Sequence, residues 1–507
     1  MGMLRTLVGS RVPEKYRKYL NLPPRKESWK IDDTQDTRLG RANASWLHGR
    51  DGMCGIYRLN LGIDALSVRV GLIDAAEKCI DIQSYLVKDD LSGNLIGLRL
   101  IEAANRGVRV RLLMDDALTE DVDAGLVSFS DHVNIEVRVF NPFPRRRSRF
   151  VSFIANFNIL NRRMHNKSFT VDNQVTIVGG RNIADEYFQT SGDNEFIDED
   201  LLAIGPVVDT VSEGFDEYWN MLEAIAVDSF DPPIEHPQII ETIAAGMSYL
   251  SVNESNPFLR SVDNHLVERL LKSELPLIEA TAELILDHPN KVRGLSLGQT
   301  GETTAFLRQL VSSATTDVLV VSPYFVPQRQ GVDFLTALVR KGVRVVVVTN
   351  SLASTNHSSV HAVYARYRKP LLRQGVELYE LRPRLSSVDS LVEDQPNRKI
   401  TLHSKLVVVD HEKLFVGSFN LDPRSLYINT EMGMVVDSSE LATSVAKSVG
   451  ESLQRQTYSL RQARTGGIRW KYLTRNGERV ARKEPHTTIW RRTLTRLMSL
   501  LPIEGQM

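Results

Sequence analysis

Met164-His-Asn-Lys-Ser-Phe-Thr-Val-Asp172 and Leu402-His-Ser-Lys-Leu-Val-Val-Val-Asp410 carry one pattern twice, His-x-Lys-x4-Asp, at a separation of 238 residues. Seven residues after each aspartate comes a second shared element, Gly179-Gly-Arg-Asn182 in one place and Gly417-Ser-Phe-Asn420 in the other. Working outward, Cys79-Ile-Asp-Ile-Gln-Ser-Tyr85 answers to Asp317-Val-Leu-Val-Val-Ser-Pro-Tyr324, an offset of 239 at the tyrosines. Helical stretches follow, ending in Ala103-Ala-Asn-Arg-Gly107 and Leu338-Val-Arg-Lys-Gly342, where the offset is 235. A shift this constant marks a duplicated domain, not two chance motifs.

Within each copy, alternating strand patterns are separated by helix-length segments, and Gly107 and Gly342 sit where a helix should end. This order predicts an α/β fold of two duplicated domains. Each is a mixed, largely parallel sheet flanked by helices, and the two pack as a pseudo-two-fold pair. The expected boundaries are a loosely docked N-terminal arm over 1–44, a first domain over 45–225 and a helical connector over 226–294. A second domain over 295–450 and a basic tail over 451–507 complete the chain.

Composition excludes several alternatives. The 507 residues are 42% hydrophobic and 24% charged, as in ordinary globular proteins. Sixty-two basic residues balance 62 acidic ones, so no global attraction to nucleic acid is expected. Two cysteines, Cys54 and Cys79, cannot build a disulfide scaffold or a cysteine metal site, and both read as small buried hydrophobes. No apolar run reaches the roughly 18 residues that span a bilayer. Gly2 and Thr6 fit a loose myristoylation pattern.

The motif residues suit phosphodiester exchange. If Met164–Asp172 and Leu402–Val409 are strands, His and Lys at i and i+2 share a face. The following Gly-x-x-Asn makes a tight turn whose backbone N–H groups can approach an anion. Two such units facing each other supply two imidazoles and two ammoniums. One histidine attacks phosphorus and the other moves the proton of the leaving or entering alcohol. Lys167, Lys405, Asn182 and Asn420 would neutralise the non-bridging oxygens, so no metal or cofactor is called for. A carboxylate on each histidine Nδ1 would hold the tautomer, and the candidates are Glu431 and either Asp198 or Asp200. Asp172 and Asp410 belong to the motif, with the turn and its lysine as their expected business.

With these residues the chain resembles the phospholipase D superfamily, whose two HKD motifs it matches at His165/Lys167/Asp172 and His403/Lys405/Asp410. The resemblance spans roughly residues 45–450. Asn161-Arg-Arg-Met164, Gly179-Gly-Arg-Asn-Ile183 and Tyr187-Phe188 resemble the bacterial cardiolipin synthase branch, most nearly its C type, which lacks the N-terminal transmembrane helices. The resemblance implies transfer of a phosphatidyl group through a phosphohistidine to phosphatidylglycerol, with phosphatidylglycerol or phosphatidylethanolamine as donor. It also implies His165 as nucleophile and His403 as acid/base, a choice that the sequence symmetry leaves open. One departure is Gly180, where many members, and Ser418 of this chain's second copy, have serine; the two half-sites are therefore expected to differ. The alternatives are a phospholipase D releasing phosphatidic acid, a phosphodiesterase or nuclease of the same superfamily, and an inactive membrane-binding scaffold.

The lipid reading implies a peripheral place on the bacterial inner membrane, and two segments invite it. Residues 455–496 hold twelve Lys/Arg against Glu478 and Glu484. Within them Ile489, Trp490, Thr493, Leu494, Leu497, Met498 and Leu501 share one helical face and Arg491, Arg492, Thr495, Arg496 and Ser499 the other. This is an interfacial helix, or a terminal helix docked on the protein's own core with its arginines in water. Arg145-Arg-Arg-Ser-Arg149 with Phe150, Phe153, Ile154 and Phe157 either grips acyl chains or packs in the core. His357 and His361 are candidate head-group contacts or structural residues.

Overall fold

A computed structural model describes residues 26–118, 123–143, 161–190, 194–230, 234–294, 301–384, 399–474, 476–501 and 504–506. The strands Cys79–Ser84, Arg109–Asp115 and Ile135–Phe140 lie parallel side by side, as do Asp317–Val321, Arg344–Asn350 and Glu377–Leu381. Parallel neighbours need a crossover, supplied by helices such as Leu91–Asn105 and Gln328–Arg340. The first is capped by Asp90, whose carboxylate accepts the Gly93 N–H. Both crossovers end at glycines with positive φ, 96° at Gly107 and 93° at Gly342, which is the freedom a helix stop requires.

Parallel pairing stops at these three-strand cores. Ser168–Val171 and Val175–Gly179 form a hairpin that adds antiparallel to Cys79–Ser84, followed by Asp200–Ile204 and Cys54–Leu59. The second half repeats this with Leu406–Val409, Lys413–Gly417 and Met432–Asp437. The sheets are thus mixed and less parallel than the sequence pattern suggests, because the short turns after the motif strands permit only antiparallel return.

The two halves pack face to face across an apolar layer that includes Val178, Leu201, Leu319, Val346, Val408 and Met434. Helices cover the outer faces over separate cores. The strand Ile278–Leu286 pairs through its first three residues with Cys54–Ile56 and through Thr281–Leu286 with Met432–Asp437, joining both sheets into one. It lies in the stretch expected to be a helical connector, whose helices are Ile239–Val252, Pro257–Ser261 and His265–Leu271.

Both ends differ from expectation. In the arm, Lys30 N–H donates to Asp216 and Ser28 N–H to Asn220, and the helix Arg38–Leu47 follows, so residues 26–44 are docked on the first half. The tail is more than a basic extension. Thr457–Gln462 pairs with Glu377–Leu381, and Ile468–Thr474 and Gly477–Ala481 continue the second sheet. Trp470 anchors it, donating from Nε1 to buried Glu380. The Arg145–Phe157 segment and the Gly2/Thr6 pattern lie outside the described residues.

Candidate active site

The site is built where the motif strands break. His165–Lys167 and His403–Lys405 are extended but unpaired in the ladders, with sheet resuming at Ser168 and Leu406. The break lets each histidine segment cross to the other half. His165 N–H donates to the Thr430 carbonyl, and His403 N–H to the Ile197 carbonyl beside the parallel pair Asn194–Ile197 and Lys399–Leu402.

That crossing sets the chemistry. His165 Nδ1 lies 2.8 Å from Glu431 Oε2, and His403 Nδ1 lies 2.5 Å from Asp198 Oδ2. Each histidine therefore takes its carboxylate from the opposite copy. Burial alone would raise both carboxyls, but the partner histidine and nearby cationic groups hold them below their ordinary range, so they stay ionised. An ionised carboxylate only accepts, so Nδ1 of each ring carries the hydrogen and Nε2 is left with its lone pair. Burial, helped by the two lysines, lowers His165 to about 4 and His403 to about 3, so both rings are neutral.

Lys167 and Lys405 lie behind the rings. Lys167 Nζ donates to the His165 carbonyl at 2.7 Å, and Lys405 Nζ donates to the His403 carbonyl and lies 2.7 Å from His403 Nδ1 and 3.1 Å from Nε2. Burial lowers Lys167 to about 7, with repulsion from Lys405 adding to it, and lowers Lys405 to about 8 against the pull of carboxylates such as Asp198 and Glu431. His165, His403, Asn182 and Asn420 line one cavity of about 840 Å³. Both asparagine Oδ1 atoms are buried without a hydrogen-bond partner, two polar groups that a bound alcohol or water could satisfy.

The halves are not equivalent. Backbone bonds from Gly180 to Glu199 and from Ser418 to Met432 make Asp198 and Glu431 the repeat counterparts of each other. Ser418 Oγ donates to Glu431 Oε2 and Ser425 Oγ to Oε1. In the first copy the Asp198 carboxylate fills the space a side chain at 180 would need. A Cβ there would fall 2.2 Å from Asp198 Oδ1. Gly180 and the shorter Asp198 thus form one solution, and Ser418 and the longer Glu431 the other.

Asp172 and Asp410 do not line the cavity. Asp172 accepts from the N–H groups of Glu77, Lys78 and Cys79, and Asp410 from those of Thr315, Thr316 and Asp317. Both stand at positive φ in the hairpin turns, 51° and 54°, and clamp each turn to the start of the neighbouring strand. Asp200 also stays out, paired with Arg69 and Arg181. His357 lines the cavity, edge-on to Tyr324 at 5.2 Å, whereas His361 is buried against Arg368 and Glu484. Cys54 and Cys79 are buried and free.

Aromatic residues complete the walls. Tyr85 meets His165 edge-on at 5.1 Å, Tyr187 meets His403 edge-on at 4.9 Å, and Phe196 stacks on His403 at 5.2 Å. Tyr85 and Tyr324 were visible as repeat landmarks, and an aromatic at the end of a core strand was the available signal. Ser425 and Phe196 gave none.

The histidine pairs, the crossed carboxylates and the duplicated sheet define a phospholipase D-like protein. The family described as "Cardiolipin synthase, PLD-like domain" matches residues 70–219 and 307–452, more than half the chain, and the chain belongs to that family. It is 42% identical over 477 residues to cardiolipin synthase C of Escherichia coli K12, covering 92% of this chain and 99% of that protein. It is 33% identical over 427 residues to an uncharacterised protein of Helicobacter pylori 26695, covering 83% and 84%. A crystal structure of phosphatidylserine synthase from Haemophilus influenzae shares the fold, with a TM-score of 0.54 at 13% identity over 85% of this chain and 92% of that one.

Proposed function

We propose that the protein is a phosphatidyltransferase that forms cardiolipin, moving a phosphatidyl group onto the free hydroxyl of phosphatidylglycerol through a phosphohistidine. The observation that carries this reading is the crossed pair of buried His–carboxylate dyads facing one cavity. His165 Nε2 attacks phosphorus while its Nδ1–H stays on Glu431. The P–O bond to the donor head group breaks, and His403 delivers to the leaving oxygen a proton taken up with the anionic substrate. Asp198 balances the imidazolium in the interval. In the second step neutral His403 removes the proton of the acceptor hydroxyl, the new P–O bond forms and the P–N bond to His165 breaks. Lys167, Lys405, Asn182 and Asn420 stabilise the non-bridging oxygens. Phosphatidylglycerol or phosphatidylethanolamine serves as donor.

The site meets its lipid from a membrane surface, on the inner membrane of the bacterial cell. Among the described residues no helix is long and apolar enough to cross a bilayer. The helix Ile489–Met498 supports peripheral docking because it sits with its polar side inward. Arg491 donates to the Thr355 carbonyl, Arg492 to Thr487, and Thr495 is buried, while Trp490 is 81% exposed and Leu494 and Leu497 are exposed beside it. An outward apolar stripe on a chain end rich in arginine suits an anionic leaflet.

The test is incubation of the pure protein with phosphatidylglycerol and phosphatidylethanolamine vesicles, reading lipids by mass spectrometry. Cardiolipin from the wild type and none from His165→Ala is expected. Phosphatidic acid without cardiolipin would overturn the transferase reading in favour of hydrolysis.

A further inference from the structure

The polar cavity has apolar neighbours. In the first half Val87 and Ile183 form an isolated parallel bridge just behind the Asn182 turn. Beyond the bridge lies a second cavity of about 490 Å³ between the sheet and the helices Leu91–Asn105, Asp123–Ser130 and Ile239–Val252. Its walls include Ile96, Leu100, Leu112, Met114 and Phe129, and Val87, Lys88 and Asp89 line both it and the catalytic cavity. The second half repeats the plan. Phe325 and Leu421 form the equivalent bridge, and Leu421 lines an apolar cavity of about 450 Å³ while the adjacent Asn420 faces the catalytic one.

Protein interiors close-pack and leave few voids larger than a water molecule, so an apolar space of this size behind a phosphate site calls for an apolar occupant. The first cavity also points to where that occupant comes from. The helix Ile239–Val252 lines it with Thr242, Ala245 and Gly246 and exposes Ile240, Met247 and Val252 outward. A chain leaving a bilayer would meet those exposed residues on the same helix that walls the cavity, with Glu241 and Thr242 beside its mouth.

We infer that the cavity behind the Val87–Ile183 bridge receives an acyl chain of the phospholipid whose phosphate lies at the two histidines, with the Leu421 cavity as its counterpart for the second lipid. The inference rests on the proposed lipid substrate. It makes the aliphatic part of the substrate a determinant of selectivity, with Val87, Lys88 and Asp89 as the threshold between head group and chain.

Gly125 lines the cavity, and a Cβ there would meet nothing within 4 Å, so Gly125→Trp fills the space without displacing backbone. Ala245→Trp obstructs the mouth from an exposed position and guards against a folding defect in the first variant. Two readouts are taken on the intact chain: binding of the fluorescent long-chain fatty acid cis-parinaric acid, and turnover of dioleoyl against soluble dihexanoyl phosphatidylglycerol. Wild type and His165→Ala should bind two probes alike, and each tryptophan variant should lose one of the two, binding there about tenfold more weakly or worse, since burying even two methylenes is worth about that factor. Turnover of the dioleoyl lipid should fall by a similar factor while the dihexanoyl lipid is processed normally. Undiminished probe binding in both variants, or an unchanged ratio of long-chain to short-chain turnover, would overturn the inference. Loss of one of the two probes in the variants of a protein that forms no cardiolipin would refute the transferase reading and leave the chain site standing.

Discussion

At the scale of single residues, the site carries two ammoniums that burial makes easy to deprotonate. Lys167 and Lys405 must be charged to receive a phosphodiester, and they are lowered to about 7 and about 8. A lysine is protonated below its pKa, so kcat/KM should fall as pH rises through about 7 to 8. It should also fall as pH drops through about 4, where His165 gains a proton and loses its nucleophilic lone pair. A pH profile with dihexanoyl lipid checks both limbs, and Lys167→Arg should move the alkaline limb upward whatever it does to the maximum. Gly180→Ser makes a sharper case. Serine is right in the second copy, yet here its Cβ would meet Asp198, so a loss of about 1–3 kcal/mol of stability is expected together with lower turnover. Thermal unfolding with activity on the same samples reads it. Gly180→Ser combined with Asp198→Glu would not restore wild-type behaviour unless the backbone also shifted, because the longer acid needs the second copy's Ser425 as well. Much of this was legible in advance. Spacing alone nominated both histidines, both lysines and both asparagines, and proximity to the repeat named Glu431 and left Asp198 against Asp200. What could not be read was the crossing, since no local pattern says that a histidine's carboxylate comes from the opposite copy. The motif aspartates, read as organising the turn and its lysine, clamp each hairpin turn to the neighbouring strand. Their fixed place in the pattern reflects a demand of the hairpin turn, which a sequence cannot separate from a demand of the reaction.

At the scale of elements, the helix Ile489–Met498 reverses the usual arrangement of a surface helix. Its period was plain in the sequence, but which face would meet the protein was not. Arginine can bind carbonyls as well as float in water, and here Arg491 and Arg492 do the former. Trp490→Glu with Leu494→Glu should therefore leave the fold intact and sharply reduce co-sedimentation with anionic vesicles. Turnover of soluble dihexanoyl lipid should be unchanged, which separates docking from chemistry. The strand Ile278–Leu286 was missed although apolar and polar residues alternate from Ile278 to Leu284. Its one wet face carries Glu279, Thr281 and Glu283, but alanine, glutamate and leucine are strong helix formers, and that composition hid the alternation. The tail strands were missed because their charges drew attention to a membrane role while their alternation was serving a sheet.

At the scale of the molecule, one shared strand makes two domains into a single hydrogen-bonded body. Cooperative loss of both halves is expected in denaturant. Single-tryptophan variants keeping Trp219 in the first half or Trp470 in the second should report coincident transitions, and separated midpoints would argue that the shared strand does not couple them. The crossed carboxylates carry the coupling into heredity. A duplicated gene ordinarily frees one copy to decay or to take up new work. Here a lesion at Glu431 disables the histidine of the first copy, and a lesion at Asp198 that of the second. Neither copy can be retired while the other goes on working, so the duplication must evolve as one indivisible unit.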